Sequence, residues 1–594
     1  MTARLSILVL CLTLLAAGVN AQTAQTPAST TPTAGTPAAP AGGQARPPAA
    51  AREMPPDLKA LNDAERITDP AKRIEAFEKF KKDFPESQSA SMVDALILGT
   101  LAAKMPDQTA HMRQLANGMY KAATAKDKEG AKGIVYTSRR ATAAAEIADA
   151  YLTANVLLKD AESWSKKSVD LMRLPMYMAE QREAYAKRKQ NTPSDADLTK
   201  RFNSQRGGRV ATLGRIELKL GKTEAAKRYL EEAYAVNPDN IVVASSLGEL
   251  AAKQGDNAKA YNHLIVAKLS GRISDSANAA FETAYKAQHN GSLAGLDAAL
   301  DAEYEKRFPN PVQSEAYKPT EKRTDRVVLS EIFTGSGCPP CVAADLAFDA
   351  AMQRYSRKEL AVVMYHQHIP QPDPMTNPDT QARAKVYAVT GVPSYTIDGK
   401  KTVGGGSREM SKNKFESIKK DIEKELEKPA EAHIKVDAAL AGNAVKVSAR
   451  VAEVKSDSPD VMVQILLVEK ELRYTGENGI RFHPMVVRAM GGQKGEGYPL
   501  QGDGEQAFEA SFDLVAVSAA LKAHLDDYEA KGHRGKSFKF SEKKYEINRD
   551  NLAVVVFVED AWEQRVLQAA YVDLAPSSAT RPTSEASGQG NHFK

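Results

Sequence analysis

Two cysteines, Cys338 and Cys341, are the residues whose type and spacing most directly suggest chemistry in this 594-residue chain. The third cysteine of the sequence, Cys11, lies in an N-terminal apolar segment that we expect to be removed. A single Cys-x-x-Cys pair is typical of thiol–disulfide exchange or of half a metal site. Because no second cysteine pair follows, the sequence cannot supply a four-cysteine zinc site.

The residues around the pair predict alternating strands and helices. An apolar strand at 327–333 and a glycine-rich turn precede Cys338-Pro339-Pro340-Cys341, and an amphipathic helix at 342–355 follows. Further along, we predict a strand at 360–365, a helix near 382–387, a strand at 394–397 with a turn at Asp398-Gly399, and a helix at 411–427.

This order, with Gly391-Val392-Pro393 before the third strand, resembles the thioredoxin superfamily over residues 320–428. The Pro-Asp-Pro loop at 372–374 and the strand-rich residues that follow are similar to those of exported, outer-membrane-associated bacterial relatives. The resemblance implies a thiol–disulfide oxidoreductase that acts on protein thiols and disulfides, with no cofactor and with reduction as the favoured direction.

The position of the pair at a helix start predicts different roles for the two sulfurs. Free N–H groups and the helix macrodipole stabilise a thiolate there, so Cys338 should attack the substrate. Cys341, one turn further in, should be more buried and resolve the mixed disulfide. The resemblance implies that Pro393 is a cis proline and that the backbone of Val392 pairs with substrate, the alternative being an ordinary trans turn proline.

The family's buried acid is absent at its usual position, where this chain has Ile332. Glu331 is one position away and is a candidate proton acceptor for Cys341. Strand alternation directs it to the other face, however, so the alternative is a solvated or salt-bridged carboxylate.

Two histidines outside the motif are candidate metal ligands. Cys-x-x-Cys with His366 or His368 could hold Cu(I), which gives copper delivery as a lesser alternative function. Loop or hydrogen-bonding histidines are the ordinary interpretation, and no metal is assigned. His483 and Arg488 are expected to make only hydrogen bonds that stabilise the fold.

Residues 54–315 have helical spacing of apolar residues and contain an internal repeat. Five small or apolar residues recur at a period of 34, namely Gly214, Gly221, Ala226, Leu230 and Ala233, which match Gly248, Gly255, Ala260, Leu264 and Ala267. The pattern resembles the tetratricopeptide repeat (TPR) and predicts helix pairs at 209–238 and 242–269 in a solenoid. A non-repetitive helical bundle is the alternative. A further helix is predicted within 69–85.

Residues 431–575 change to a period of two and predict a mostly-β, sandwich-like domain. The predicted strands are 434–436, 444–451, 461–468, 553–557 and 566–572. The whole chain is therefore expected to be multidomain: an α-helical TPR-like solenoid, an α/β thioredoxin-like domain and a β-rich domain.

The ends of the sequence differ in composition from these domains. Residues 1–21 have a basic residue, an apolar run and small residues before Ala21, which predicts a signal peptide. The apolar run is shorter than the ~20 residues that a spanning helix needs, so we expect no stable membrane span after cleavage. Residues 22–53 and the tail at 576–594 are predicted to be disordered. The expected location is the bacterial periplasm or the outer membrane.

Charge and organisation leave two main functions. The formal net charge is +5, from 80 Lys and Arg against 75 Asp and Glu, and no basic block stands out. Nucleic-acid binding is therefore not expected. The leading hypothesis is a redox enzyme whose helical repeats and β domain bind a protein partner. The alternative is a TPR-type scaffold in which the thioredoxin-like module is structural or redox-regulated.

Overall fold

The computed structural model describes residues 55–87, 89–127, 136–492, 495–502, 504–534 and 537–574. The predicted signal peptide (1–21), linker (22–53) and tail (576–594) lie outside the described residues. The described chain is multidomain, with helices in the N-terminal half and two β-sheets with helices in the C-terminal part.

The N-terminal helices have the boundaries α1 Pro56–Arg66, α2 Pro70–Asp83, α3 Ala90–Lys104, α4 Thr109–Lys126, α5 Ser138–Ala154, α6 Leu158–Asp170, α7 Leu174–Lys187, α8 Asp195–Lys219, α9 Thr223–Val236, α10 Ile241–Lys253, α11 Asn257–Lys268, α12 Asp275–Gln288 and α13 Leu296–Arg307. Several begin at a side chain that caps the free N–H groups. Asp69 accepts from Lys72 N before α2, and Asn240 caps α10 in the same way. The helix predicted within 69–85 is confirmed as α2.

The two predicted helix pairs are confirmed as α8–α9 and α10–α11, and their contacts repeat with the sequence. A Cβ atom on Gly214 would lie 2.8 Å from Leu230 Cγ, and one on Gly248 would lie 2.4 Å from Leu264 Cγ. A real Cβ cannot approach so closely, so each pair packs helix against helix through a glycine.

The C-terminal half is built on a nine-stranded sheet in the order β12-β11-β7-β8-β2-β1-β3-β4, with β9 paired to β7. The strands are β1 Val328–Thr334, β2 Leu360–His366, β3 Ser394–Ile397, β4 Lys400–Val403, β7 Val461–Arg473, β8 Phe482–Met490, β9 Tyr498–Pro499, β11 Leu552–Asp560 and β12 Arg565–Asp573. The helices among them are α14 Cys341–Arg354, α15 Pro378–Val386, α16 Ser411–Leu426 and α17 Leu514–Lys531. Strand β2 is parallel to β1 and to β8, whereas the other strand pairs are antiparallel.

Strands of residues 320–428 and strands of residues 431–575 share one sheet, whereas two separate domains were predicted for these regions. The parallel pairing of β2 with β8, at Met364 and Val486, makes the strands of both regions one sheet. Every residue of β2 is buried, and a fully buried strand cannot be left with an unpaired edge. Strand β8 was not predicted, so the partner that completes β2 could not be recognised.

The sandwich-like layer of the β-rich region is a second, three-stranded sheet in the order β10-β6-β5. Its strands are β5 His433–Ala441, β6 Ala444–Ala452 and β10 Gln506–Asp513. Val447 of β6 shares an apolar core with Ile465 of β7 and Val556 of β11. The neighbouring residues of β11, Val555 and Phe557, point into the core that lies under α14 and α16. The large sheet is thus covered on both faces here.

One helix, α17, was not predicted within the β-rich region. Asp513 caps its N-terminus with a side chain that accepts from Val515 N and Ala516 N, and the helix ends before Gly532. Among the described residues, no helix combines the length and the apolarity that crossing a membrane requires.

Candidate functional site

Cys338 and Cys341 form a disulfide at the start of α14, with their Cα atoms 5.4 Å apart. The turn is held by Cys338 N, which donates to Gly335 O at 3.0 Å, and by Cys341 N, which donates to Cys338 O at 3.1 Å. Pro339 and Pro340 are exposed, but both cysteines are fully buried. The disulfide-bonded state therefore does not show the greater burial that was expected of Cys341 relative to Cys338.

The segment at Val392-Pro393 lies against this disulfide. The Val392–Pro393 peptide bond is cis, as predicted, and Val392 O lies 3.7 Å from Cys338 Sγ. Gly405 comes even closer to the motif, because a Cβ there would lie 1.8 Å from Pro340 O and 2.6 Å from Pro393 Cγ. The structure thus brings four of the five predicted site residues together around one disulfide.

The fifth predicted residue, Glu331 of β1, belongs to a buried ion cluster. Arg383 Nε donates to Glu331 Oε1 at 2.8 Å, Tyr387 donates to Oε2 at 2.6 Å, and Tyr365 donates to Oε1 at 3.0 Å. Arg383 also pairs with Glu559 of β11. Glu331 is therefore a salt-bridged carboxylate, which was the alternative to a proton acceptor for Cys341. Both of its carboxylate oxygens are engaged by these partners.

A different carboxyl, that of Asp345, is buried in the first turns of α14. It is four residues after Cys341, and residues so spaced are neighbours on one helix face. Thr334 Oγ1 donates to Asp345 Oδ1 at 2.9 Å and to Oδ2 at 3.1 Å. Burial raises the pKa of Asp345 to about 7, although the hydrogen bond from Thr334 opposes the rise. A carboxyl in this state can take or release a proton at neutral pH.

The loop in front of Cys338 is held by a second buried acid, Asp373. Its Oδ2 accepts from Ser336 N at 2.6 Å and lies 2.9 Å from His366 Nδ1, while Oδ1 accepts from Met375 N at 2.8 Å. Burial opposes ionisation of Asp373, but His366 and these backbone N–H groups together lower its pKa below the usual range. Asp373 therefore remains a carboxylate that fixes the turn before Cys338.

His368 lies beside this loop and makes a hydrogen bond, as its ordinary interpretation predicts. Its Nδ1 accepts from Asp373 N at 3.0 Å, and burial lowers the pKa of His368 to about 4. Within the described residues, no group of three or more His, Cys, Asp or Glu side chains is arranged to hold a metal ion.

His483 and Arg488 both lie on β8 and bind neighbouring segments. His483 Nε2 donates to Tyr474 O at 2.8 Å, and burial lowers the pKa of His483 to about 3. Arg488 pairs with Glu469 at 3.2 Å and donates to Lys544 O at 2.7 Å. These contacts agree with the stabilising hydrogen bonds that were expected of both residues.

Comparison with known proteins adds little to this geometry. No protein-family model matches the chain, and no curated protein matches it. A solved structure, HBP35 of Porphyromonas gingivalis, is similar at 16% sequence identity over 46% of this chain and 83% of that chain, with a TM-score of 0.29. A likeness at this level supports no conclusion about fold or function.

Proposed function

We propose that this protein is a thiol–disulfide oxidoreductase of the thioredoxin type that acts on protein disulfides, with reduction as the favoured direction. The observation that carries the proposal is the Cys338–Cys341 disulfide at the start of α14, with the cis Val392–Pro393 segment against it. No cofactor is needed, because the electrons move between sulfur pairs.

The order of elements around the motif supports the thioredoxin-like class for residues 320–428. The chain runs β1, α14, β2, α15, β3, β4, α16, with β1 parallel to β2 and the β3–β4 hairpin antiparallel to β1. This βαβ unit followed by a β-hairpin and a helix is the arrangement that the resemblance implies. The helix pairs α8–α9 and α10–α11 support a TPR-like class for the N-terminal half in the same way.

The proposed reaction begins with the reduced pair. The Cys338 thiolate, stabilised by the N-terminus of α14, attacks one sulfur of a substrate disulfide and releases the other as a thiolate. Cys341 then attacks Cys338, which frees the reduced substrate and leaves the Cys338–Cys341 disulfide. The two protein thiols lose two protons, and the two substrate thiolates gain two.

Asp345 is the residue we assign to receive the proton of Cys341, in place of Glu331. Its carboxyl lies one helical turn after Cys341, and its pKa of about 7 suits proton exchange at neutral pH. Glu331 is held by Arg383 and two tyrosines in the ion cluster, so it is not offered to a sulfur. Val392 is proposed to pair with the substrate backbone.

The helical repeats are proposed to bind a protein partner. Val236 and Val242 are exposed there, and an open groove of about 950 Å³ is lined by residues of α8 and by the end of α9. Export to the periplasm or the outer membrane is also proposed, on the basis of the signal peptide predicted at residues 1–21. The N-terminal residue of the native protein, read by mass spectrometry and expected near Gln22, tests the export proposal.

The experiment that tests the redox proposal is turnover of a disulfide-containing protein such as insulin in the presence of dithiothreitol. We expect the wild-type protein to accelerate reduction and Cys338→Ser to abolish the acceleration. Glu331→Gln is not a suitable control because it disrupts the ion cluster, so the exposed Glu409→Gln serves instead. Equal rates of insulin reduction for wild type and Cys338→Ser would contradict the redox proposal and favour the scaffold function.

A further inference from the structure

The connection between β7 and β8 is a short hairpin that reaches the redox pair. We call residues 474–481 the strap. Tyr474 N donates to Arg481 O at 2.9 Å and Gly476 N donates to Ile480 O at 3.0 Å, which closes the hairpin. Gly479 has a φ of +80°, a conformation that favours glycine in such a turn. The strap is therefore a defined structure rather than an irregular loop.

One side of the strap lies on the turn that precedes Cys338. Asn478 N donates to Ser336 O at 3.0 Å, and Asn478 Nδ2 donates to Gly335 O at 3.4 Å. Gly476 is so close that a Cβ on it would lie 2.3 Å from Ser336 O. The backbone just before the predicted nucleophile is thus covered by the strap.

The other side of the strap lies on the helix that follows Cys341. Ile480 is buried and forms an apolar cluster with Val342 and Leu346 in the first turns of α14. The strap consequently contacts the chain on both sides of the Cys-x-x-Cys motif. Both sulfurs are buried in this state, whereas thiol–disulfide exchange requires a substrate sulfur to reach Cys338.

The strap is attached to the helical domain through ion pairs with α13, in which Asp301 binds two arginines. Asp301 of α13 pairs through Oδ1 with Arg481 Nε at 2.6 Å and through Oδ2 with Arg473 Nε at 2.7 Å. Arg481 is almost fully buried and also donates to Asp297 O at 3.2 Å and to the exposed Asp297 Oδ1 at 3.3 Å, so Asp301 is its closer carboxylate partner. A buried guanidinium that loses its carboxylate is costly, so this pair restrains the strap.

A second attachment comes from the turn before α12. Arg272 Nε donates to Glu477 O at 3.1 Å. Gly271 packs directly on the strap, since a Cβ there would lie 2.4 Å from Gly476 O. Two separate parts of the helical domain therefore hold the tip and the base of one hairpin.

We propose that Asp301 is a positioning residue for the redox pair. Asp301 holds the strap over the motif, so that the helical domain controls access of substrate to Cys338. This inference rests on the proposed redox function. It gives the helical repeats a role in the chemistry: a protein that binds them and displaces α13 releases the strap and exposes the sulfur. The proposal adds no reacting group and changes only how often Cys338 is reachable.

The test compares Asp301→Asn with Glu303→Gln, a variant of the same helix whose carboxylate pairs with Arg307 and does not contact the strap. Each protein is reduced with a phosphine, and the rate at which iodoacetamide modifies Cys338 is followed by peptide mass spectrometry. We expect Asp301→Asn to raise the alkylation rate of Cys338 about tenfold, because loss of an ion pair makes local opening of the strap easier. Glu303→Gln should have the alkylation rate of wild type.

A second variant, Asn478→Ala, removes the hydrogen bond from Asn478 Nδ2 to Gly335 O and the one that Asn478 Oδ1 accepts from Ile480 N, without altering the helical domain. It should also raise the Cys338 rate, with a melting temperature close to that of wild type. Unchanged rates in both variants, with folding intact, would overturn the proposal. The alkylation rate needs no protein substrate, so it is independent of turnover. If the reduced cysteines of the wild-type protein are alkylated but the protein fails to reduce insulin, the redox function is contradicted instead.

Discussion

Two acidic residues on elements that flank the motif, Glu331 of β1 and Asp345 of α14, differ in their partners. Which of them can serve as a proton acceptor depends on the direction of each side chain. Sequence position identified Glu331 as a candidate because it is adjacent to the family's acid position. Arg383 and Glu559, which lie far away in the sequence, engage it in an ion cluster that no local pattern reveals. Asp345 was recognisable in principle from its spacing of four residues after Cys341, but its burial and its partner Thr334 of β1 follow from tertiary packing that local spacing does not reveal.

The raised pKa of Asp345 predicts a specific effect of pH on stability. The folded-state pKa of about 7 is above the usual value near 3.9, so folding favours the protonated carboxyl. Wild-type stability should therefore fall as pH rises through the window from about 4 to about 7. Three units correspond to about 4 kcal/mol at most, the cost of ionising this buried group.

The variant Asp345→Asn removes this ionisation and keeps an oxygen that can accept from Thr334. We expect Asp345→Asn to be more stable than wild type at pH 8 and to lose that advantage at pH 4. Free energies of unfolding of the oxidised proteins, from urea titrations at both pH values, give the comparison. A difference between the two proteins that does not change with pH would show that folding does not raise the pKa of Asp345.

At the scale of elements, the helices and strands with strong patterns were predicted well. Strand β1, helix α14, strand β2 and helix α16 lie within a few residues of their predicted positions, because each has a clear apolar period and a turn at its end. Helix α15 begins four residues earlier than predicted, since Asn377 caps it and Pro378 occupies its first position. Strand β8 and helix α17 were missed because their burial comes from neighbours distant in sequence.

The glycines of the helix pairs give a test at this scale. Gly248→Ala in α10 places a Cβ 2.4 Å from Leu264 Cγ, closer than real atoms approach, so it should destabilise the protein by about 1–3 kcal/mol. Gly118→Ala in α4 is the matched control, because Gly118 is exposed and no atom lies within 4 Å of its added Cβ. That control should stabilise the protein by about 0.5–1 kcal/mol.

Thermal or urea unfolding measures both glycine variants. If Gly248→Ala were neutral, α10 and α11 would not pack through this glycine, and the TPR-like proposal would lose its structural basis. The turn glycines Gly221 and Gly255, each with a φ of +76°, repeat at the same period and offer an independent check.

At the scale of the whole molecule, the main surprise is that the region of the disulfide and the β-rich region form one sheet. The sequence indicated where strands lie but not which strands pair, because pairing of β2 with β8 joins residues more than a hundred positions apart. The same hairpin that begins β8 reaches back to the motif and is held by α13. The helical half therefore contacts the site through the strap.

Trapping of a substrate on a cysteine variant tests the central claim most directly. Cys341→Ser, reduced and mixed with a disulfide-containing protein, should form a stable mixed disulfide on Cys338, because attack can occur and resolution cannot. Non-reducing electrophoresis and peptide mass spectrometry identify the linked sulfur, with Cys338→Ser as the matched control. The account predicts an adduct in Cys341→Ser and none in Cys338→Ser. An adduct on Cys341 in Cys338→Ser, or no adduct in either variant, would contradict it.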